Sequence, residues 1–128
     1  MTAKVEADNA KEEIQEILEK CTKCGMCKSL CPVFKIIREE TISPRGKVMI
    51  LQEKLYDKII YECSLCKACE ERCALNIKLC EAFRKARKVL VETGHETREN
   101  KEMIKNIREE GNPFGKLDSR KPGKLYCC

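Results

Sequence analysis

The chain has 128 residues, a length typical of one domain, and 11 of these residues are cysteine. Its formal net charge is +5, but Lys and Arg alternate with Glu and no basic tract carries aromatic residues, so we expect no nucleic-acid partner. The sequence shows no secretory signal and no apolar run near the roughly 20 residues of a membrane span. We therefore expect a cytoplasmic protein, in which many cysteines indicate metal binding rather than disulfides.

The chain begins with residues of little periodicity, and a helical pattern follows. Residues 1–7 have the character of a loose terminus. Between Asp8 and Lys20, Ile14, Ile17 and Leu18 fall on one face of a helix, while Glu and Lys occupy the other faces. We therefore predict an N-terminal helix that packs by one apolar stripe.

Two runs of four cysteines with identical spacing follow this helix. In each run the intervals are three, three and four residues, and every cysteine of the second run lies 42 positions after its counterpart. Bacterial ferredoxins bind 4Fe–4S clusters with runs of this spacing. The sequence therefore predicts two 4Fe–4S clusters. The eight cysteines are Cys21, Cys24, Cys27 and Cys31 in the first run and Cys63, Cys66, Cys69 and Cys73 in the second.

The spacing also predicts which cysteines share a cluster. The first three cysteines of a run can wrap around three corners of a cubane, and in two-cluster ferredoxins the fourth cysteine crosses to the other cluster. This exchange would tie the two halves of the chain together, and the clusters would supply much of the folding free energy. The expected ligand sets are Cys21, Cys24, Cys27 and Cys73 for one cluster, and Cys63, Cys66, Cys69 and Cys31 for the other.

Other uses of these cysteines fit the pattern less well. Structural zinc is usually held by two separated Cys-x-x-Cys pairs, not by three cysteines close together in one run. Cysteines separated by two residues rarely reach the geometry of a mutual disulfide. A 3Fe–4S cluster is disfavoured because neither run lacks a cysteine.

A second helix is predicted between the two runs. Ser43 and Pro44 are typical of a helix start, with Ser43 as the cap. Arg45 and Lys47 lie near the positive end of this helix, which is unfavourable unless a negative group such as a cluster is close. We therefore expect Arg45 to act electrostatically on a cluster or a partner. Apolar residues continue at helical spacing to about Glu62, namely Val48, Leu51, Leu55 and Ile59.

The second run departs from the first in two places. Lys67-Ala68 replaces Gly25-Met26, and Ala74 stands where Pro32 ends the first run. Since neither Pro32 nor Ala74 is a ligand, cluster binding should survive while the following loop loses rigidity. A helix to about Glu92 is predicted next.

The last third of the chain carries one more helix signal. Thr97 can cap a helix from Arg98 to Glu110, and Gly111 can end it. His95 lies in a polar turn, where we expect it to be exposed to solvent. Residues 111–124 are rich in glycine, proline and basic side chains, and such a segment has little means of ordering itself.

Cys127 and Cys128 belong to neither run. One interpretation is that they are free thiols in a tail, since nothing in the local sequence lowers their pKa. The other interpretation is that a partner chain completes a catalytic thiol or cluster site around them.

Three segments carry a resemblance to a known family: Cys31-Pro32-Val33-Phe34, Ser43-Pro44-Arg45-Gly46-Lys47 and Gly111-Asn112-Pro113-Phe114-Gly115. Over about residues 14–117 the chain resembles the dicluster part of heterodisulfide reductase iron–sulfur subunits. The iron–sulfur subunits of glycolate oxidase, lactate utilisation and anaerobic glycerol-phosphate dehydrogenase are similar. The segment that begins at Ser43 also resembles the iron–sulfur subunits of succinate dehydrogenase and fumarate reductase.

The resemblance implies an all-α fold, an α-helical ferredoxin-like domain built around two 4Fe–4S clusters, with helical and extended terminal segments. In larger members, domains with a Cys-Cys-Gly signature come next, and here Cys127-Cys128 stands where the first would begin. Disulfide-reducing chemistry would then belong to another chain, or else this chain is a truncated or split form. The expected segments are an N-terminal helix at 1–20, the dicluster domain at 21–93, a C-terminal helix at 94–110 and an extended tail at 111–128.

Members of this family pass electrons from a flavoprotein toward a disulfide site or a quinone. We therefore expect a non-catalytic electron-relay subunit of a hetero-oligomeric oxidoreductase, with a flavoprotein subunit and a second redox subunit as partners. Such a chain would have no transmembrane segment of its own and would be either free in the cytoplasm or held at a membrane by its partners. The alternative is a non-redox assembly or oxygen-sensing protein in which the clusters are structural.

Overall fold

The computed structural model describes residues 2–116, with side chains from residue 4 onward. This part of the chain contains six α-helices, three 3-10 helices and no strand, which confirms the all-α prediction, and none of its helices is long and apolar enough to cross a membrane. It divides into two compact units, one that reaches to His95 and one that begins at Glu96. The α-helices are α1 (Thr2–Leu18), α2 (Pro32–Ile37), α3 (Pro44–Gln52), α4 (Ala68–Arg72), α5 (Leu79–Glu92) and α6 (Arg98–Glu110), and the 3-10 helices are Met26–Leu30, Glu40–Ile42 and Lys58–Glu62.

Helix α1 begins at Thr2, so the prediction of a loose terminus was wrong for the described residues. The buried stripe of Ile14 and Leu18 continues toward the N-terminus through Ala7 and Ala10, which are 3% and 4% exposed. Alanine is the strongest helix former, and its small side chain lets α1 lie close against α5. The apolar stripe predicted for α1 is therefore longer than its large side chains indicate.

Helix α5 forms the centre of the first unit and packs against α1, α3 and α4. It ends at Glu92, as predicted, and Gly94 comes soon after with a left-handed backbone (φ 77°). His95 is exposed, also as predicted. The cysteine loops pack against the core to which this helix contributes most. Its buried residues are Leu79, Cys80, Ala82, Phe83, Ala86, Val89 and Leu90.

Helix α3 starts as predicted but ends much earlier than expected. The Gly46 N–H donates to Ser43 Oγ at 2.9 Å, so Ser43 is the N-cap. The helix stops at Gln52 rather than near Glu62, and Lys54 adopts a left-handed backbone (φ 58°) just beyond it. The prediction of one continuous helix between the cysteine runs was therefore wrong.

The chain turns after α3, and the turn brings Ile60 into the core. Leu55, which the helical pattern placed on the buried stripe, is 59% exposed, whereas Ile60 is fully buried. Asp57 starts the next 3-10 helix, since its Oδ1 accepts a hydrogen bond from the Ile59 N–H at 2.9 Å. This short helix leads directly into Cys63 at the edge of the core.

The described part of the second unit consists of α6 and the short segments on either side of it. Both ends of α6 are as predicted. Thr97 Oγ1 accepts a hydrogen bond from the Asn100 N–H at 3.3 Å, and Gly111 ends the helix with a left-handed backbone (φ 72°).

The loop after α6 is better ordered than its composition predicts. The Asn106 side-chain amide donates to the Pro113 carbonyl at 3.1 Å, and the Asn112 amide donates to the Gly115 carbonyl at 3.0 Å. Asparagine side chains thus supply the order that glycine and proline do not. The rest of the predicted tail, with Cys127 and Cys128, lies outside the described residues, so its interpretations stay predictions, as does the division of the chain into four segments.

Candidate iron–sulfur cluster site

The two cysteine runs share a backbone conformation as well as a spacing. Lys23 and Gly25 are left-handed in the first run (φ 60° and 83°), and Leu65 and Lys67 are left-handed in the second (φ 56° and 64°). Each residue of the second pair lies 42 positions after its counterpart, and a short helix begins at the same place in both runs. Left-handed residues in a turn can aim backbone N–H groups at a common centre, as in the concave nests that bind iron–sulfur clusters.

The eight cysteines of the runs line two cavities, which we name the Cys21 cavity and the Cys63 cavity. The Cys21 cavity is lined by Cys21, Cys24, Cys27 and Cys73, and the Cys63 cavity by Cys31, Cys63, Cys66 and Cys69. Each cavity therefore takes three cysteines from one run and the fourth from the other. These are the same two sets that the sequence predicts.

The remaining walls of both cavities are mainly apolar. Val48, Ile77 and Leu79 line the Cys21 cavity, and Ile42 and Phe83 line the Cys63 cavity. All five of these side chains are buried. Such walls keep water away from sulfur atoms and lower the local dielectric constant, two of the means by which proteins tune an iron–sulfur cluster.

One cysteine at each cavity reaches the surface. Cys24 and Cys66 are exposed, whereas Cys69 is buried and the other cysteines of the runs are partly buried. Because Cys24 and Cys66 occupy equivalent places in the two runs, each cavity has one edge that faces solvent.

The inner thiols are weak acids because they are buried. Burial raises the pKa of Cys27 to about 11, and the neighbouring Cys21 adds to the shift. Burial also raises the pKa of Cys69, beside which Cys80 lies. Iron binds the thiolate form, so loading of metal must release protons from these groups.

Backbone N–H groups contact two sulfur atoms of the Cys63 cavity. The Phe34 N–H donates to Cys31 Sγ at 3.5 Å, and the Leu65 N–H donates to Cys63 Sγ at 3.4 Å. Hydrogen bonds of this kind offset negative charge on sulfur and help to set the potential of a cluster.

The two runs differ in structure immediately after the fourth cysteine. Pro32 occupies the first position of α2, and Cys31 is the N-cap of that helix. In the second run Ala74 starts no helix, and α5 begins only at Leu79. Pro32 therefore explains why Cys31 caps a helix, whereas Cys73, the fourth cysteine of the second run, does not.

The amino end of α3 lies between the two cavities. Arg45 lines the Cys21 cavity, whereas Pro44 and Lys47 line the Cys63 cavity. The positive end of the helix dipole thus lies near both sets of thiols, with the cation of Arg45 at one set and that of Lys47 at the other. Gly46 permits this packing, because a Cβ atom at that position would overlap the Glu40 carbonyl oxygen.

Arg45 lies at the Cys21 cavity and is paired with a carboxylate. Its Nε donates to Glu40 Oε1 at 2.7 Å, and Lys28 Nζ lies 2.5 Å from Glu40 Oε2. Hydrogen bonds from Arg45 and Lys28 lower the pKa of Glu40 to about 2, from its usual 4.5. Gly25 leaves room for the guanidinium, since a Cβ there would lie 2.9 Å from Arg45 Nη1. The electrostatic role expected for Arg45 stays a prediction.

The sequence placed Lys47 near a negative group but did not predict its burial, and the residue is only 2% exposed. Its ammonium donates to the Ile42 carbonyl. Burial lowers the pKa of Lys47, while the Cys63 and Cys31 thiols act in the opposite direction. A lysine normally indicates a surface position, so the helix-end position of Lys47 predicted a nearby negative group and not a buried ammonium.

Sequence reasoning also missed Cys80 as a residue of the Cys63 cavity. It lies on the buried face of α5 and is 4% exposed. Its side chain contacts Cys69, and its N–H donates to Glu70 Oε1 at 2.8 Å. The Cys63 cavity thus has a fifth thiol beside the four from the runs.

The donor set fits iron–sulfur clusters. Among the residues that the structure describes, no set of three or more His, Cys, Asp or Glu side chains is close enough to hold a single metal ion. The four thiols that the runs bring to each cavity suit a four-iron cluster, in which each iron takes one thiolate. Residues 17–77, which include all eight cysteines of the runs, match the family profile of the 4Fe-4S dicluster domain.

Residues 17–77 form a 4Fe–4S dicluster domain. This result confirms the prediction of two 4Fe–4S clusters as cofactors. Clusters of this kind supply one-electron oxidation and reduction.

Two of the relatives are iron–sulfur subunits by name, and a third is named for lactate utilization. The glycolate oxidase iron–sulfur subunit of Escherichia coli is 26% identical over 74 residues, which cover 52% of this chain and 18% of the relative. A CoB–CoM heterodisulfide reductase iron–sulfur subunit of Methanocaldococcus jannaschii is 28% identical over 85 residues, which cover 66% of this chain and 46% of the relative. Lactate utilization protein B of a Geobacillus species is 35% identical over 88 residues, which cover 62% of this chain and 18% of the relative.

The chain spans less than half the length of each of these relatives. The matches nevertheless confirm the resemblance to heterodisulfide reductase and glycolate oxidase iron–sulfur subunits. Together with the dicluster domain, they support electron transfer as the role of the chain.

Proposed function

We propose that the chain relays single electrons through its two clusters and that the eight cysteines of the runs are the ligands. The observation that carries this proposal is the crossed arrangement of the fourth cysteines, which gives each cavity four thiols from the runs. Four thiolates satisfy all four irons of a cubane and leave no iron open to a substrate. The ligand sets are Cys21, Cys24, Cys27 and Cys73 at the Cys21 cavity, and Cys31, Cys63, Cys66 and Cys69 at the Cys63 cavity.

The surroundings of the cavities suit electron transfer rather than substrate chemistry. The walls are mainly apolar, and cations line each cavity, among them Arg45 at one and the buried Lys47 at the other. Backbone N–H groups contact the Cys31 and Cys63 sulfurs. Groups of this kind change the energy of adding one electron without taking part in bond making.

Electrons would enter at one exposed edge and leave at the other. Cys24 and Cys66 are the exposed cysteines of the two runs, one at each cavity, so each cluster would come nearest to solvent there. The amino end of α3 lies between the cavities. A partner that docks over Cys24 would thus exchange electrons with one cluster, and a partner over Cys66 with the other.

The partners that we propose are a flavoprotein subunit and a second redox subunit with a disulfide- or quinone-linked site. Support comes from the names of the relatives, which are those of subunits of larger oxidoreductases. The chain would then be one subunit of a hetero-oligomer, and the catalytic sites would lie in its partners.

The test begins with anaerobic purification of the full chain, followed by analysis of iron, sulfide and zinc. We expect about eight irons and eight sulfides per chain, as two cubanes require, and an EPR signal that develops on reduction. Stoichiometric zinc with no EPR signal after reduction would contradict the proposal.

The partners are tested separately, by identifying the proteins that co-purify with the chain under anaerobic conditions. We expect a flavoprotein among them, and we expect its reduced flavin to generate the EPR signal of the clusters. The variant C24S and the variant C66S form a matched pair for this experiment, because each alters one exposed edge. If the reduced flavoprotein leaves the clusters of the wild-type chain oxidised, this choice of donor is wrong while the relay itself still stands.

A further inference from the structure

Lys47 is a buried cation without an anionic side chain as its ion-pair partner among the described residues. Only 2% of the residue is exposed, and its ammonium donates to the Ile42 carbonyl. Within the described part of the chain, the carboxylate of Glu40 pairs with Lys28 and Arg45 and not with Lys47. An ammonium has three donors, and burial of an unpaired charge is costly, so this position favours lysine only if a negative group lies close.

The thiols of the Cys63 cavity are the negative groups that the structure offers. Lys47 lines that cavity together with Cys31 and Cys63, and both of these thiols favour its charged form. Glu62 also favours the charged form, and Arg87 opposes it, each more weakly than the two thiols. Lys47 is therefore directed toward the place where the second cluster is proposed to bind.

Arg45 provides a contrast on the same helix. It lies at the Cys21 cavity, is partly exposed, and is neutralised by its ion pair with Glu40. Lys47 is buried and has no such counter-charge among the described side chains. Since charge interactions weaken in water and strengthen in a low dielectric, the charge of Lys47 should act more strongly on its cavity than the charge of Arg45 acts on the other.

We propose that the positive charge of Lys47 raises the reduction potential of the cluster bound in the Cys63 cavity. This inference rests on the proposed function, and it gives Lys47 the role of a positioning residue, since it acts through charge and is not a ligand. Reduction adds one electron from an external reductant, so the net charge of the cluster and its thiolates changes from roughly −2 to roughly −3. A nearby fixed cation favours the more negative state.

The test is a redox titration followed by EPR on anaerobically purified full-length chain. The variant K47Q removes the charge and keeps a donor for the Ile42 carbonyl, whereas K47R keeps the charge. The variant C66S alters a ligand at the Cys63 cavity and so identifies which EPR signal belongs to that cluster. The variant R45Q is the matched control, because it removes a cation that lies at the other cavity.

In K47Q we expect the reduction potential of the cluster in the Cys63 cavity to become more negative by about 59 mV or more. At a given potential, the ratio of reduced to oxidised cluster then falls at least tenfold. We expect K47R to keep the wild-type potential and R45Q to leave the signal of this cavity unchanged. An unshifted signal in K47Q with full iron content would overturn the proposal, and so would an equal shift in K47R and K47Q.

Variants that fail to load iron are also informative. If K47Q binds fewer irons than the wild type, K47M replaces it, since methionine fills a similar volume without charge. If neither uncharged variant loads while K47R does, Lys47 is needed for assembly and the potential-setting role is overturned. A wild-type chain without any cluster signal would instead contradict the proposed function itself.

Discussion

Cys73 ends the second cysteine run, yet it lines the same cavity as Cys21, the first cysteine of the first run. Cys31 does the reverse and lies with the cysteines of the second run. The loops that carry the two runs pack directly against each other, so the halves of the repeat cannot separate without breaking both cavities. We therefore expect cluster binding and the packing of this small domain to be one event.

The crossed arrangement predicts how ligand variants should pair. Serine at position 73 should perturb the same EPR signal as serine at position 24, because Cys73 and Cys24 line one cavity. Serine at position 31 should perturb the same signal as serine at position 66. EPR spectra of C73S, C24S, C31S and C66S after reduction check this pairing. If C73S instead matches C66S, the fourth cysteines do not cross.

The position of Cys80 beside Cys69 predicts that the two thiols have different roles in iron binding. Cys69 and Cys80 contact each other at the Cys63 cavity, but Cys80 comes from α5 and not from a run. We expect C80A to keep about eight irons and to lose about 1 kcal/mol of unfolding free energy, because one buried atom is removed. We expect C69A to lose about half of the iron, since a ligand is removed.

Iron analysis and thermal unfolding of the cluster-loaded variants measure both effects. The pair is matched, because the two thiols are both buried and belong to the same cavity. A C80A chain that binds only about four irons would assign the ligand role to Cys80 and remove it from one cysteine of the runs.

Local signals predicted the parts of the fold that depend on a few neighbouring residues. The caps at Thr97 and Gly111 set both ends of α6, because each satisfies backbone groups at a helix end within its own turn. The repeated cysteine spacing predicted which thiols line one cavity, because the fourth cysteines cross in two-cluster ferredoxins. The helix caps need no knowledge of the rest of the chain, whereas the thiol sets need both runs.

Features that depend on distant packing were missed. The apolar periodicity continues through Leu55, but α3 ends before this residue. The chain then turns, and the turn places Ile60 in the core. Ala7 was missed because alanine is a weak hydrophobic signal, although it is buried in the first unit, where α1 packs against α5. The burial of Lys47 was missed because a charged residue is usually exposed.

The close packing around Gly46 predicts that adding a single methyl group at this position has a large steric effect. A Cβ at this position would overlap the Glu40 carbonyl oxygen, and neither backbone can yield without moving α3. We expect G46A to lose about 3 kcal/mol or more of unfolding free energy and to reduce iron content at both cavities, since α3 lies between them. Thermal unfolding and iron analysis of the cluster-loaded chain check this.

Gly94 is the control for Gly46. A Cβ there would meet nothing within 4 Å, so only its left-handed backbone (φ 77°) opposes alanine. We expect G94A to cost about 1 to 2 kcal/mol and to leave the iron content unchanged. Equal losses of stability and iron in the two variants would show that the contact between α3 and Glu40 does not position the cavities.

The ion pairs of Glu40 should stabilise the folded chain by a small amount that depends on pH and salt. Its carboxylate bridges Arg45 and Lys28, and these cations lower its pKa in the folded chain to about 2 from 4.5. Because the folded pKa is depressed, the stabilisation is fully present above pH 4.5 and is lost as the pH falls toward 2. Since Glu40 is exposed, solvent screening keeps the contribution below about 1 kcal/mol.

The difference in unfolding free energy between wild type and E40Q measures this contribution. We expect the difference to be constant from neutral pH down to about pH 5, to begin to shrink near pH 4.5, and to shrink at neutral pH in about 1 M salt. The variant E39Q is the control, because Glu39 is an exposed neighbour for which no ion pair is seen among the described residues. A difference that is insensitive to salt, or that is equally large in E39Q, would show that the bridge between Lys28 and Arg45 does not stabilise the fold.

The reduction potential of the cluster in the Cys21 cavity should also become more positive in E40Q, because Arg45 would then lack its counter-charge.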